Sequence, residues 1–113
     1  MPKFDLPEVK ALLKQVFAPW VQDLAIEPIS LSESGALFRV PENSALVRSG
    51  GDGPAVICGQ AVSAVADTAS VLALSGLNGR FRNCTTVDMT THFMRPMMLG
   101  DMEVTITALS NGR

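Results

Sequence analysis

A chain of 113 residues is long enough to close one hydrophobic core and too short for two, so a single domain, residues 1–113, is expected. Nine Lys+Arg against eleven Asp+Glu leave a net charge of −2, and no run of basic residues offers the footprint of a nucleic-acid binder. Two cysteines, Cys58 and Cys84, and the lone His92 follow no metal-ligand spacing, which leaves neither a metal site nor a cofactor to expect and reads as free thiols in a reducing compartment.

From the N-terminus, Met1 to Lys10 carries charges of both signs and two prolines where a secretory leader would need an unbroken apolar core, so the cytoplasm is the expected location. Asp5-Leu6-Pro7-Glu8 is a helix start, with Asp5 as N-cap and Glu8 in the capping-box position. Leu12, Leu13, Val16 and Phe17 continue it at helical spacing until Pro19 stops it, giving an N-terminal helix within residues 1–19. Between Leu24 and Val40, apolar stretches broken at Pro28 and at Glu33-Ser34-Gly35 predict two strands in a hairpin, Ala36–Val40 being the second. Pro41–Pro54 is glycine-rich, has no period and is expected to be a loop.

Gly59–Leu77 is apolar around nearly its whole circumference, the pattern of a helix surrounded by protein, and the Ser75-Gly76-Leu77-Asn78-Gly79 tail ends it. A membrane span is the competing reading. Gln60, Ser63, Asp67, Thr68 and Ser70 interrupt the stretch, and a carboxylate at mid-helix is costly in lipid, so no membrane is expected. From Asn83 the period changes to two: Thr85, Val87, Met89, Thr91 and Phe93 alternate with Cys84, Thr86, Asp88, Thr90, His92 and Met94, which predicts one long strand ending at Arg95-Pro96. Met102–Leu109 is a further strand, followed by the turn signal Asn111-Gly112. With no returning strand after it, that strand keeps an open edge, and a C-terminal part of the domain is expected to be missing from the sequence.

Asp67 is the only charged residue between Asp52 and Arg80. A carboxylate inside an apolar helix loses hydration that a partner must replace, and no basic residue lies on the same helix. It either caps or bonds a neighbouring element or pairs with an Arg brought in by the fold, or it is held for proton transfer or attack on a carbonyl. Gly59, eight residues upstream, lies at the helix N-terminus, where unpaired N–H groups and the helix dipole favour an oxyanion.

The run Cys58-Gly59-Gln60-Ala61-Val62-Ser63-Ala64-Val65-Ala66-Asp67-Thr68-Ala69, with Thr86-Val87-Asp88-Met89 and Phe93-Met94-Arg95-Pro96 after it, resembles the phenylacetate-type (PaaI-like) branch of the hotdog-fold thioesterases. That branch shows His-Gly-Gly, six residues and an Asp, then a Val-Asp strand ending near Arg-Pro. The resemblance covers roughly residues 20–113. It implies an α+β hotdog fold, in which an antiparallel sheet wraps a long central helix, with about two more strands after Arg113. It also implies hydrolysis of acyl-CoA by a homodimer or a dimer of dimers whose active sites lie at the interface. Gly59 of one chain would then polarise the thioester carbonyl, Asp67 of the other would act as general base or nucleophile, and Thr86 would orient water. Cys58, Gln60, Asp52 and Thr68 fall at substrate-contacting positions.

Cys58 replaces the family His and is a candidate nucleophile, although no general base neighbours it in sequence. Gln60 replaces the second Gly and either narrows the acyl pocket or adds a donor. Asp52, where relatives often carry Asn, is read first as a turn residue among glycines. Asp88 and His92 share a strand face but stand on the order of 13 Å apart, too far for a pair, so His92 reads as structural or interfacial. Met94, Met97 and Met98 read as pliable packing. Two other uses of the fold remain: a non-catalytic acyl-CoA sensor, for which no DNA-binding segment is present, and a dehydratase, which would pair a His with a carboxylate in the active-site segment.

Overall fold

The computed structural model describes residues 5–48, 53–81 and 84–111. Its elements are α1 (Leu6–Val16), α2 (Pro19–Gln22), β1 (Glu27–Leu31), β2 (Gly35–Val40), a 3-10 turn (Ser44–Leu46), α3 (Gly59–Asn78) and β3 (Met102–Thr107). Asp52, Asn83 and Gly112 lie outside the described residues.

The helix start at Asp5 is as expected, with the Asp5 amide donating to Glu8 Oε1 at 2.8 Å. The end is not. α1 stops at Val16, before Pro19, and Pro19 opens the short α2 instead of merely closing α1. A proline in the first turn gives up an N–H that has no helical acceptor in any case, so it starts a helix as readily as it stops one. Val9, Leu12 and Leu13 of α1 are buried in the same cluster as Phe38, Val40, Val65, Ala69 and Leu72.

The sheet is antiparallel in the order β1-β2-β3. The turn between β1 and β2 is tied by Ser32, whose Oγ accepts from the Gly35 amide at 3.1 Å and whose own amide donates to the Gly35 carbonyl at 3.0 Å. Pro28 lies within β1 opposite Phe38, and the register shifts between Pro28 and Ser30. An edge strand with a bulge can hold a proline, because the missing N–H would otherwise point away from the ladder. β2 and β3 pair without interruption from Gly35 opposite Thr107 to Val40 opposite Met102. Among the described residues the outer side of β3 carries no further strand, the open edge anticipated from the sequence.

α3 lies against the sheet and starts and stops where its chemistry indicates. It ends at Gly79, whose φ of +69° permits the Gly79 amide to reach the Gly76 carbonyl and the Arg80 amide the Ser75 carbonyl. By length and composition α3 could cross a membrane. Here Ala61, Val65, Thr68, Ala69, Leu72, Ala73 and Ser75 form a buried stripe on the core side. The remaining face, with Val62, Ala66, Asp67, Ser70, Val71 and Leu74, is only half-buried, which corrects the expectation of a helix enclosed all round.

The second correction concerns residues 84–96, which form no strand. Period-two alternation shows that a segment can be extended; it does not provide a partner for its backbone groups. The segment runs antiparallel to α3 across the half-buried face, with residues 84–90 beside Ala66–Leu74 and residues 91–97 beside Gly59–Val62. It is tied down at its far end, where the Ile57 amide donates to the Met97 carbonyl at 2.7 Å and the Leu99 amide to the Ala55 carbonyl at 3.2 Å. Along it Val87, Phe93 and Met94 are exposed.

Candidate active site

Two grooves open between α3 and the segment that crosses it. The first, about 1100 Å³, lies around the N-terminus of α3 and is lined by Gly59, Gln60 and Val62, by Val56–Cys58, by Arg48 and by residues 91–97. Cys58 caps the helix with an extended backbone, and its carbonyl accepts from the amides of Ala61 and Val62 at 3.1 and 3.3 Å. Among the described residues the amides of Gly59 and Gln60 have no acceptor. These are the donors that the first turn of any helix leaves free. A Cβ placed on Gly59 would lie in ordinary van der Waals contact with the Phe93 ring, at 3.4 Å.

The second groove, about 600 Å³, lies over the middle of α3 and contains Asp67. Thr86 Oγ1 donates to Asp67 Oδ1 at 2.5 Å, fixing the carboxylate rotamer and leaving Oδ2 without a partner among the described residues. The hydroxyl thus reaches across 19 positions of sequence to meet Asp67, a contact that the resemblance, which gave Thr86 the orienting of water, did not include. Asp67 is half-buried rather than enclosed, and among the described residues the groove's lining includes Asp88 and no cationic side chain.

The other expected contacts separate. Cys58 is half-buried and Gln60 exposed, and both line the first groove. Thr68 is buried at 5 % exposure on the core face of α3 and lines neither groove, so its side chain is not presented to a substrate in either of them. The expected substrate contact of Asp52 falls outside the described residues. His92, read from sequence as structural or interfacial, is exposed on the wall of the Gly59 groove, as are Arg48 and Arg95. Sequence offered no sign that Arg48 would meet His92 and Arg95, because the two segments that carry them are far apart in the chain. Among the described residues no three His, Cys, Asp or Glu side chains converge as a metal site would require.

Gly59 and Asp67 therefore belong to different grooves. Eight residues apart on one helix, they stand about 12 Å from each other along its axis. A single carbonyl cannot touch both within one chain.

The sequence profile of the thioesterase superfamily matches residues 56–111, a span that contains α3, the crossing segment and β3. A solved structure, that of the conserved protein PA5202 from Pseudomonas aeruginosa, superimposes with a TM-score of 0.73 at 25% identity, over 88% of this chain and 77% of that one. The fold is a hotdog fold. A search of curated proteins returns no match. The hotdog architecture read from the sequence is thus upheld, and the match over residues 56–111 points to thioester hydrolysis in general terms.

Proposed function

We propose that this protein hydrolyses acyl-CoA thioesters to the free acid and CoA, as a cytoplasmic enzyme of the phenylacetate-type branch, at a site shared by two copies of the chain. The Gly59 amide of one copy receives the thioester oxygen, where an N–H already oriented by the helix stabilises the charge that develops as the carbonyl is attacked. Asp67 of the other copy takes a proton from the attacking water, or attacks the carbonyl itself, with Thr86 holding its Oδ1. Water adds to the carbonyl carbon, the C–S bond breaks, and the thiolate of CoA leaves with a proton.

The observation that carries this reading is the Thr86–Asp67 hydrogen bond, which leaves the second carboxylate oxygen without a cationic partner among the described residues. Two facts support sharing between copies. The helical separation keeps Gly59 and Asp67 apart in one chain. Val87, Phe93 and Met94 remain exposed on the extended segment that crosses α3, the kind of apolar surface that a second copy covers. Cys58 as nucleophile is less well supported, because no base contacts it among the described residues.

The test is release of free thiol over a panel of short, medium-chain and aromatic acyl-CoAs. Turnover by wild type that is lost in Asp67→Asn supports the reading; absence of turnover on the whole panel refutes it. One observation favours a second reading, dehydration of a hydroxyacyl-CoA: His92 lines the groove of Gly59. Hydration of an enoyl-CoA, followed by its absorbance and abolished in His92→Gln, would replace the first reading with this one.

A further inference from the structure

A third groove, about 290 Å³, adjoins the first behind the start of α3, and Cys58 and Gln60 form the wall common to both. Its remaining lining is mainly apolar, from Trp20, Leu24, Ala45, Leu46 and Ala61, with Asp23 as its one charged side chain. The cations are partitioned the other way: among the described residues Arg48 and Arg95 line the large groove and none lines the small one. A thioester whose oxygen lies at the Gly59 amide has two arms to place, and the two grooves differ in the property that distinguishes those arms. Phosphates are attracted to the guanidinium groups, whereas an uncharged hydrocarbon loses least by entering an apolar cleft.

We infer that the small groove between α2 and the N-terminus of α3 seats the acyl group, and that Gln60 stands at its entrance and sets which acyl groups pass. The inference rests on the thioesterase reading and deepens it to a substrate class: apolar, uncharged acyl groups on a phosphate-bearing carrier. Asp23 disfavours acyl groups that end in a carboxylate. Trp20 is largely exposed, at 62 %, on the wall of the cleft, where an acyl chain would cover its ring.

Trp20 is also the only tryptophan and the chain has no tyrosine, so its emission reports on this groove alone. The test uses the whole protein and non-hydrolysable thioether analogues of butyryl-, octanoyl-, phenylacetyl- and succinyl-CoA, with CoA itself as reference. Emission should move to shorter wavelength with the apolar analogues and stay unchanged with CoA and the succinyl analogue. In parallel, Ala45→Phe should lower the octanoyl-to-acetyl ratio of kcat/KM by about 10-fold or more for a chain that no longer fits, and Gln60→Gly should raise it. Turnover with no emission response, and with ratios unmoved in both variants, overturns the acyl seat and leaves the hydrolase reading standing. An emission response without turnover on any thioester upholds the seat and overturns the hydrolase reading. Neither response nor turnover overturns both.

Discussion

At Gly59 the chemistry is assigned to a backbone atom, so the informative substitution is one that deletes an N–H and little else. Proline is favoured in the first turn of a helix, and Cys58 before it already has the extended backbone that a following proline requires. Gly59→Pro should keep the melting temperature near wild type while kcat falls about 10²- to 10³-fold, as for loss of an oxyanion donor. Asp67→Asn keeps the side-chain volume and removes the proton acceptor. Its kcat should fall by at least roughly 100-fold with affinity for a thioether analogue retained, whereas a purely structural Asp67 would show the reverse, a lower melting temperature and near-normal turnover. Thr86→Val should cost about 10-fold in kcat through a less well held carboxylate. Cys58→Ser, by contrast, should keep most of the turnover. At this scale Asp67 and Gly59 could be singled out because each stands at a spacing with a chemical reason, a lone charge in an apolar helix and a glycine at its start, whereas Thr86 entered only through the family resemblance. The meeting of Arg48 with His92 and Arg95 was not legible, since only the packing of two distant segments brings them to one groove.

Among the elements, the hairpin and β3 depend on a close approach that sequence alone did not reveal. A Cβ on Gly35 would lie 1.7 Å from the Ile106 carbonyl oxygen, so Gly35→Ala must push β2 and β3 apart. A loss of at least about 1–3 kcal/mol in chemical denaturation is expected. Nearby, Arg39 on β2 donates to Glu27 on β1 at 2.6 Å and to Asp101 before β3 at 2.7 Å, while Asp101 Oδ1 accepts from the Glu42 amide at 2.7 Å. The Glu42 amide first, and the Arg39 guanidinium second, hold the Asp101 carboxyl below its ordinary value of 3.8. A carboxyl depressed by folding stabilises the fold above its unfolded pKa and loses that contribution as pH falls through the folded one. The melting-temperature gap between wild type and Asp101→Asn should therefore be present near neutral pH and close below about pH 4. A gap that persists in acid would assign the effect to packing. The elements that sequence placed well, the start of α1, the hairpin, α3 and β3, carry local signals of their own, whereas the end of α1 at Val16 precedes the proline expected to stop it. The long strand expected over residues 84–94 failed because pairing is not a local property: the alternation was real, but no strand within the described residues supplies its hydrogen bonds.

For the whole molecule, the consequence of separating Gly59 from Asp67 is that neither groove is a complete site in one chain. The account predicts an obligate dimer, and an active monomer in sedimentation at assay concentration would contradict it. The decisive measurement mixes two inactive proteins, Asp67→Asn and Gly59→Pro, after co-refolding at equal concentration. If each site draws its amide from one copy and its carboxylate from the other, a mixed dimer contains one site with both lesions and one with neither. Random pairing should then restore about one quarter of wild-type thiol release. If the site lies within a single chain, every site in the mixture keeps one lesion, and the mixture will be no more active than its components.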